Sequence, residues 1–184
     1  MLSRRQFIKA GIAGTAALVV ARVVYGPFAA TPVWQGGSAH RFATLSDASR
    51  GLIAALATAI LDGALPVDAD AHAGAVAEVV VGVDKAVAAL QPAVQAELQQ
   101  LFALLNFPVS RRLLAGVSQP WLKAPTDEVA AFLQNWRDSR FTLLRSGFHG
   151  LHQLILAAWY GSPNAWAAIG YAQPAHVLAA QQAN

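Results

Sequence analysis

The chain of 184 residues contains no cysteine. Disulfides, thiolate-held iron–sulfur clusters, thioether-linked haem and cysteine nucleophiles are thereby excluded as features of this chain. Charge is also scarce, with Asp, Glu, Lys and Arg making up 12% of residues against 55% hydrophobic. The sequence has no G-x-G-x-x-G after a strand, no G-x-x-x-x-G-K-[ST], no G-x-S-x-G and no H-E-x-x-H. Dinucleotide, nucleoside triphosphate, serine-hydrolase and zinc-hydrolase chemistry therefore lack the parts they need. No internal repeat and no alternating strand-like run is present. Paired carboxylates are few: Asp68 and Asp70 share a loop, but the next acids are distant, so solvation and helix capping suit them better than cation binding.

The first residues carry more information. Ser3-Arg4-Arg5-Gln6-Phe7-Ile8-Lys9 follows the order of the bacterial twin-arginine (Tat) export signal, with Ile8 where leucine is commoner. A basic flank alone explains the charge but not this order. Ala10 to Ala21 is an uncharged, moderately apolar run suited to a signal core. A membrane-spanning helix needs about 20 apolar residues and would have to include Arg22, at a cost of roughly 2.5–3.5 kcal/mol if central. Residues 1–30 are thus expected to be the signal, processed after Ala30 in Pro27-Phe28-Ala29-Ala30, although Phe28 occupies a site where a small side chain is preferred. An uncleaved signal would instead stay as an N-terminal anchor. The expected partner in export is the Tat translocase, and the expected location is the periplasm.

Setting the signal apart changes the electrostatics. Four of the 13 basic residues, Arg4, Arg5, Lys9 and Arg22, lie in residues 1–30, which hold no acid. The remainder has 9 basic and 10 acidic residues, a formal charge of −1 rather than +3. The high isoelectric point belongs to the signal, and nucleic acid is not an expected partner, because its binders cluster Lys and Arg on the folded domain. The remaining basic doublet, Arg111-Arg112, reads as solvated.

The body reads as all-α, a compact bundle of about five to six helices: residues 31–45 as a linker, 46–171 as the helical domain and 172–184 as an extended tail. Ser46-Asp47 caps a first helix with Leu52, Ile53, Leu56 and Ile60 on one side, stopped by Gly63 and Pro66. Residues 66–71 read as a loop. A second helix from Gly74 to Leu90 turns Val76, Val79, Val80, Val83, Val87 and Leu90 inward. A third begins with Pro92 in its first turn, carries Val94, Leu98, Leu101, Phe102 and Leu105, and ends before Pro108. A short helix covers Ser110 to Gly116. Thr126 is expected to cap a fourth main helix bearing Val129, Phe132, Leu133 and Trp136, with acids in its first turn. After a break near Asp138-Ser139, a fifth runs from Arg140 to Tyr160, with Phe141, Leu144, Phe148, Leu151, Leu154, Ile155 and Ala158 along it. Gly147 and Gly150 inside it each cost about 1 kcal/mol against Ala, which suggests close approach of another backbone. A sixth, short helix starts at Ser162-Pro163 and stops at Gly170.

Of five histidines, only His149 and His152 have ligand-like spacing, since i and i+3 share a helical face. They are the weak candidates for a metal, because no Asp or Glu lies within ten residues on either side. A free-standing periplasmic binding or metal protein using this pair is the alternative reading of function. Trp121, Trp136, Trp159 and Trp166 read as core or partner-facing rings. No catalytic and no cofactor-binding residue is assigned in this chain.

The segment from Ala157 to Tyr171 resembles the ending of the gluconate 2-dehydrogenase subunit 3 family: an aromatic-Tyr pair (Trp159, Tyr160), a polar residue, Pro163, Trp166, then Gly170-Tyr171. Phe132 to Arg140 resembles a helix of the same family, and Ala59-Ile60-Leu61 with Leu65-Pro66 its opening segment, so the similarity covers about residues 43–174. The resemblance implies an all-helical small subunit without catalytic residues. Its partner would be a large FAD-containing subunit of the glucose–methanol–choline (GMC) type, a sugar, polyol or alcohol dehydrogenase, with a cytochrome c subunit or another acceptor taking the electrons. FAD would sit in that partner, and this chain would supply its export signal. The complex would be periplasmic, held at the inner membrane through its other subunits or through a retained signal. Trp159, Tyr160, Pro163, Trp166, Gly170 and Tyr171 are the matching positions and the expected partner-facing residues, because Trp and Tyr combine large apolar area with a polar handle.

Overall fold

A computed structural model describes Trp34, Gly36 and residues 40–168, without the side chains of Asn164, Ala167 and Ala168. The chain divides into two units, Met1–Thr31 and Pro32–Asn184, and every described helix belongs to the second. Among the described residues the protein is all-helical, with no strand. The helices are α1 (Asp47–Ile60), α2 (Ala69–Ala88), α3 (Pro92–Asn106), α4 (Thr126–Arg137), α5 (Thr142–Tyr160) and α6 (Pro163–Ala168). A single α turn (Pro108–Ser110) runs into a π turn (Arg111–Ala115), and a 3₁₀ turn (Trp121–Lys123) precedes α4.

Helix α1 is the hub, packing on α2, α3, α4, α5 and the 3₁₀ turn. Its composition permits this, because Leu52, Ile53, Leu56 and Ala57 are fully buried and Gly51 lets Leu122 settle against the backbone. Each such Leu or Ile stabilises the fold by about 1.5–3 kcal/mol. Ser46 caps α1, its side chain accepting from Ser49 N–H. The valine-rich run of α2 is helical, and Val79, Val80, Val83 and Val87 are fully buried. Helices α2 and α5 share the most extensive contact. They approach so closely that a Cβ on Gly82 would lie 2.9 Å from Ala158 Cβ. Two tryptophans staple turns to the core: Trp121 Nε1–H donates to Leu105 O and Trp136 Nε1–H to Leu114 O, both at 3.0 Å.

The buried polar centre lies in α2. Asp84, whose side chain is 1% exposed, accepts backbone N–H bonds from Ala43 (3.0 Å), Thr44 (2.9 Å) and Leu45 (2.9 Å). It also accepts from Thr44 Oγ1 (2.7 Å) and His40 Nε2 (2.9 Å). Burial by itself would raise the carboxyl pKa. The donors, Ala43 N–H and His40 foremost, outweigh that and hold the group well below the ordinary carboxylate range. Residues 40–45, inside the stretch read as a linker, are therefore docked on α2. Phe42 ties the same segment to α1, with Arg50 4.6 Å over its ring, and the His40 ring stands edge-on to it at 5.0 Å.

Several expectations are corrected. Helix α2 starts at Ala69, five residues earlier than the periodicity indicates, because Asp68 caps it by accepting from Ala71 N–H at 2.9 Å. Thr126 is the first residue of α4 rather than its cap. Leu90, Val94 and Phe141 lie on the surface. Gly147 faces the Trp136 ring, not another backbone, and Gly150 faces open space. Arg111 is buried, and burial, with the neighbouring Arg112, pushes its guanidinium pKa down against the pull of Glu128. The segment 110–116 is mostly π-helical and closes with Gly116 at φ 71°, a left-handed conformation that favours glycine. The tail 172–184 lies outside the described residues.

Two outcomes follow from these contacts. Asp84→Asn replaces an acceptor by an amide facing donors, and is expected to cost about 2–4 kcal/mol at neutral pH. Because the folded pKa is depressed, this stabilisation is complete above the unfolded value of about 3.9 and is lost as pH falls below it. Thermal melts should therefore show the gap between parent and Asp84→Asn shrinking from pH 7 to pH 3. Second, Gly82→Ala should destabilise by about 1–3 kcal/mol, since Ala158 cannot move aside without shifting α5. Gly150→Ala, on an open helix face, should stabilise by about 0.5–1 kcal/mol. Denaturant titration of the two variants reads the opposite signs.

Candidate partner-binding surface

The matching positions of the C-terminal motif lie where α5 ends. Its last turn closes by ordinary helix bonding, Gly161 N–H to Ala157 O at 3.1 Å, followed by Ser162 N–H to Trp159 O at 2.9 Å. Ser162 is buried, with its Oγ 3.5 Å from Ala165 N–H at the start of α6. Pro163 opens α6, a position that needs no backbone donor. Trp166 then folds back so that its Nε1–H donates to Tyr160 O at 2.8 Å. That carbonyl is one of those a helix end leaves without an internal partner, so the indole both satisfies it and sets the angle between α5 and α6.

The aromatic residues divide by exposure. Trp159 is 4% exposed and belongs to the core, so it supports this surface from beneath. The Tyr160 ring is 56% exposed, Pro163 is exposed and Trp166 is half-buried. Gly170 and Tyr171 lie outside the described residues, as do Ser3, Arg4, Arg5, Phe7, Ile8 and Lys9.

Beside this corner runs a groove of about 880 Å³ between α2 and the α5–α6 junction. Ala77, Val81 and Gly82 form one wall, and Gly161 and Pro163 the other. The Gly82–Ala158 contact shapes it, because small residues at the crossing draw the two helices together. Glu78, Lys85 and His40 supply polar atoms at its edge. Such a trough accepts an apolar ridge from another element, with a few polar groups to orient it.

His149 and His152 stand on α5 close to Phe148, with ring centroids 5.4 and 5.3 Å from it. Among the described residues no group of three or more His, Cys, Asp or Glu gathers in a way that could hold a metal ion. The polar residue that sequence reasoning overlooked is Asp84. A signal was available: Val76, Val80, Asp84 and Val87 continue a single helical stripe, so an acid there has to be buried and paired. The groove had no comparable signal, because its two walls come from segments about 80 residues apart.

Comparison with known proteins adds one finding. A model of the twin-arginine translocation pathway signal sequence matches residues 1–21. No curated protein and no solved structure matches the chain. Among the described residues no helix is long and apolar enough to cross a membrane. Residues 1–21 are thus a twin-arginine export signal, and the chain that bears it is directed across the membrane to the periplasm.

Proposed function

We propose that this chain is the non-catalytic small subunit of a FAD-dependent dehydrogenase of the GMC type acting on a sugar, polyol or alcohol. In this reading it escorts and stabilises the flavoprotein subunit, which folds around FAD in the cytoplasm and crosses the membrane on the signal of its partner. Electrons released by substrate oxidation pass from the partner's flavin to a cytochrome c subunit or another acceptor, none of them through residues of this chain.

The observation that carries the proposal is the twin-arginine signal ahead of a helical body whose C-terminal segment resembles the gluconate 2-dehydrogenase subunit 3 family. Supporting it, Tyr160 of that segment is exposed and Pro163 lines a groove with small-residue walls. Tyr is among the residues enriched at binding hot spots, and a trough beside it gives a partner helix something to fill. Twin-arginine export, which moves folded proteins, suits a cargo whose cofactor must be inserted before transport.

The test is to express the proposed large GMC-type subunit in three ways: alone, with this chain, and with the Arg4→Lys plus Arg5→Lys variant. Dye-linked dehydrogenase activity in the periplasmic fraction is expected only with the parent chain. Equal periplasmic activity in all three would overturn the escort role.

A further inference from the structure

The far end of α5 carries a second surface, unrelated to the proposed subunit contact. Nineteen residues of α5 span about 28 Å at 1.5 Å per residue, so Phe141 and Leu143 lie at the opposite end of that helix from Tyr160. Both are exposed, at 56% and 61%. Leu113 and Leu114 of the π turn are exposed as well, at 79% and 44%. Trp136 joins the two groups. Its indole N–H holds Leu114 O, and its ring lies 2.8 Å from where a Cβ on Gly147 would stand, one turn along α5 from Leu143.

Arginines neighbour these apolar tips in the chain: Arg112, Arg137 and Arg140 are exposed and Arg145 is half-buried. Several are anchored by neutral groups that leave their charge uncancelled. Arg145 donates to Ser139 O (2.6 Å) and Thr142 Oγ1 (3.1 Å), Arg112 to Ser118 O (3.3 Å), and Arg140 lies 4.9 Å over the Phe141 ring. The acids facing this end are Asp138, which takes Arg137 at 3.1 Å, and Glu128, which accepts from Ser118. The imbalance extends to the whole body. Residues 111–145 hold six basic and three acidic side chains, whereas residues 40–110 hold three basic and seven acidic.

We propose that this arginine-collared apolar pole, formed by the π turn and the start of α5, docks on the surface of an anionic phospholipid bilayer. The arrangement favours lipid over a protein partner. Arginines stand within one or two residues of every exposed apolar side chain here, so no charge-free centre remains of the kind a dry protein interface requires. In a bilayer interface the same alternation is useful: guanidinium groups sit at the phosphate level while Leu and Phe reach a few ångströms further. An exported protein meets such a surface on either side of the membrane it crosses.

The full chain is cysteine-free, so single labels can be placed cleanly. Leu113→Cys, Leu143→Cys and, as a control on the acidic half, Val67→Cys would carry a polarity-sensitive dye. The probes are phosphatidylcholine vesicles with and without phosphatidylglycerol, each containing spin-labelled lipid as quencher. Quenching is expected at 113 and 143, not at 67, and only with phosphatidylglycerol present. Arg112→Gln plus Arg140→Gln should weaken the response at 113 roughly tenfold or more, and high salt should weaken it in the unmutated background. Equal quenching at 67 and 113 would mean that the export signal alone tethers the chain, and would overturn the proposal. So would absence of quenching at 113 on both vesicle types, which would leave the pole to an acidic protein partner. Neither result bears on the periplasmic activity assay, so the two readings fail separately.

Discussion

The Asp84 carboxylate is the constraint around which the N-terminal part of the body is arranged. A buried anion costs several kcal/mol unless it is hydrogen-bonded, and here three consecutive backbone N–H groups, a threonine hydroxyl and an imidazole meet that requirement. These donors all come from residues 40–45, directly before Ser46 starts α1. The clamp therefore decides where the chain joins the bundle. With residues 43–45 fixed on α2, α1 is delivered into the centre of the fold, where Leu52, Ile53 and Leu56 lose all contact with solvent.

From that placement the two surfaces follow at opposite ends of α5. Where α2 crosses α5, Gly82 and Ala158 allow close approach, which opens a shallow groove beside Tyr160 and Pro163. At the other end α4 and α5 meet through Trp136 and Gly147, and the π turn is stapled to the same indole. That staple leaves Leu113 and Leu114 outside with Arg112 while Arg111 turns inward. One helix thus separates a small-residue trough from a basic, apolar pole.

Reading the sequence recovered the helices well because their apolar residues recur at helical spacing over ten or more positions. It succeeded at the ends where local chemistry is decisive: Ser46 caps α1, Pro92 opens α3, and Asp138 ends α4. It erred where a residue's direction depends on what stands opposite. Leu90, Val94 and Phe141 continue apolar stripes but sit beyond the reach of a neighbouring helix. Arg111 and Arg112 are alike as letters, and only the packing of their turn makes one buried and the other exposed. Trp159 shares a motif with Tyr160 yet points at the core, since adjacent positions on a helix lie about 100° apart.

By itself the sequence determined an N-terminal twin-arginine export signal, the all-helical body and the absence of any thiol chemistry. Each of these depends on residue identity or on periodicity within a single segment. The tertiary structure alone decided that Asp84 is a clamp, that Gly82 rather than Gly150 is the close crossing, and that four arginines share one pole with exposed apolar side chains. Those facts depend on residues brought together from distant parts of the chain, and local pattern holds no record of which faces will meet.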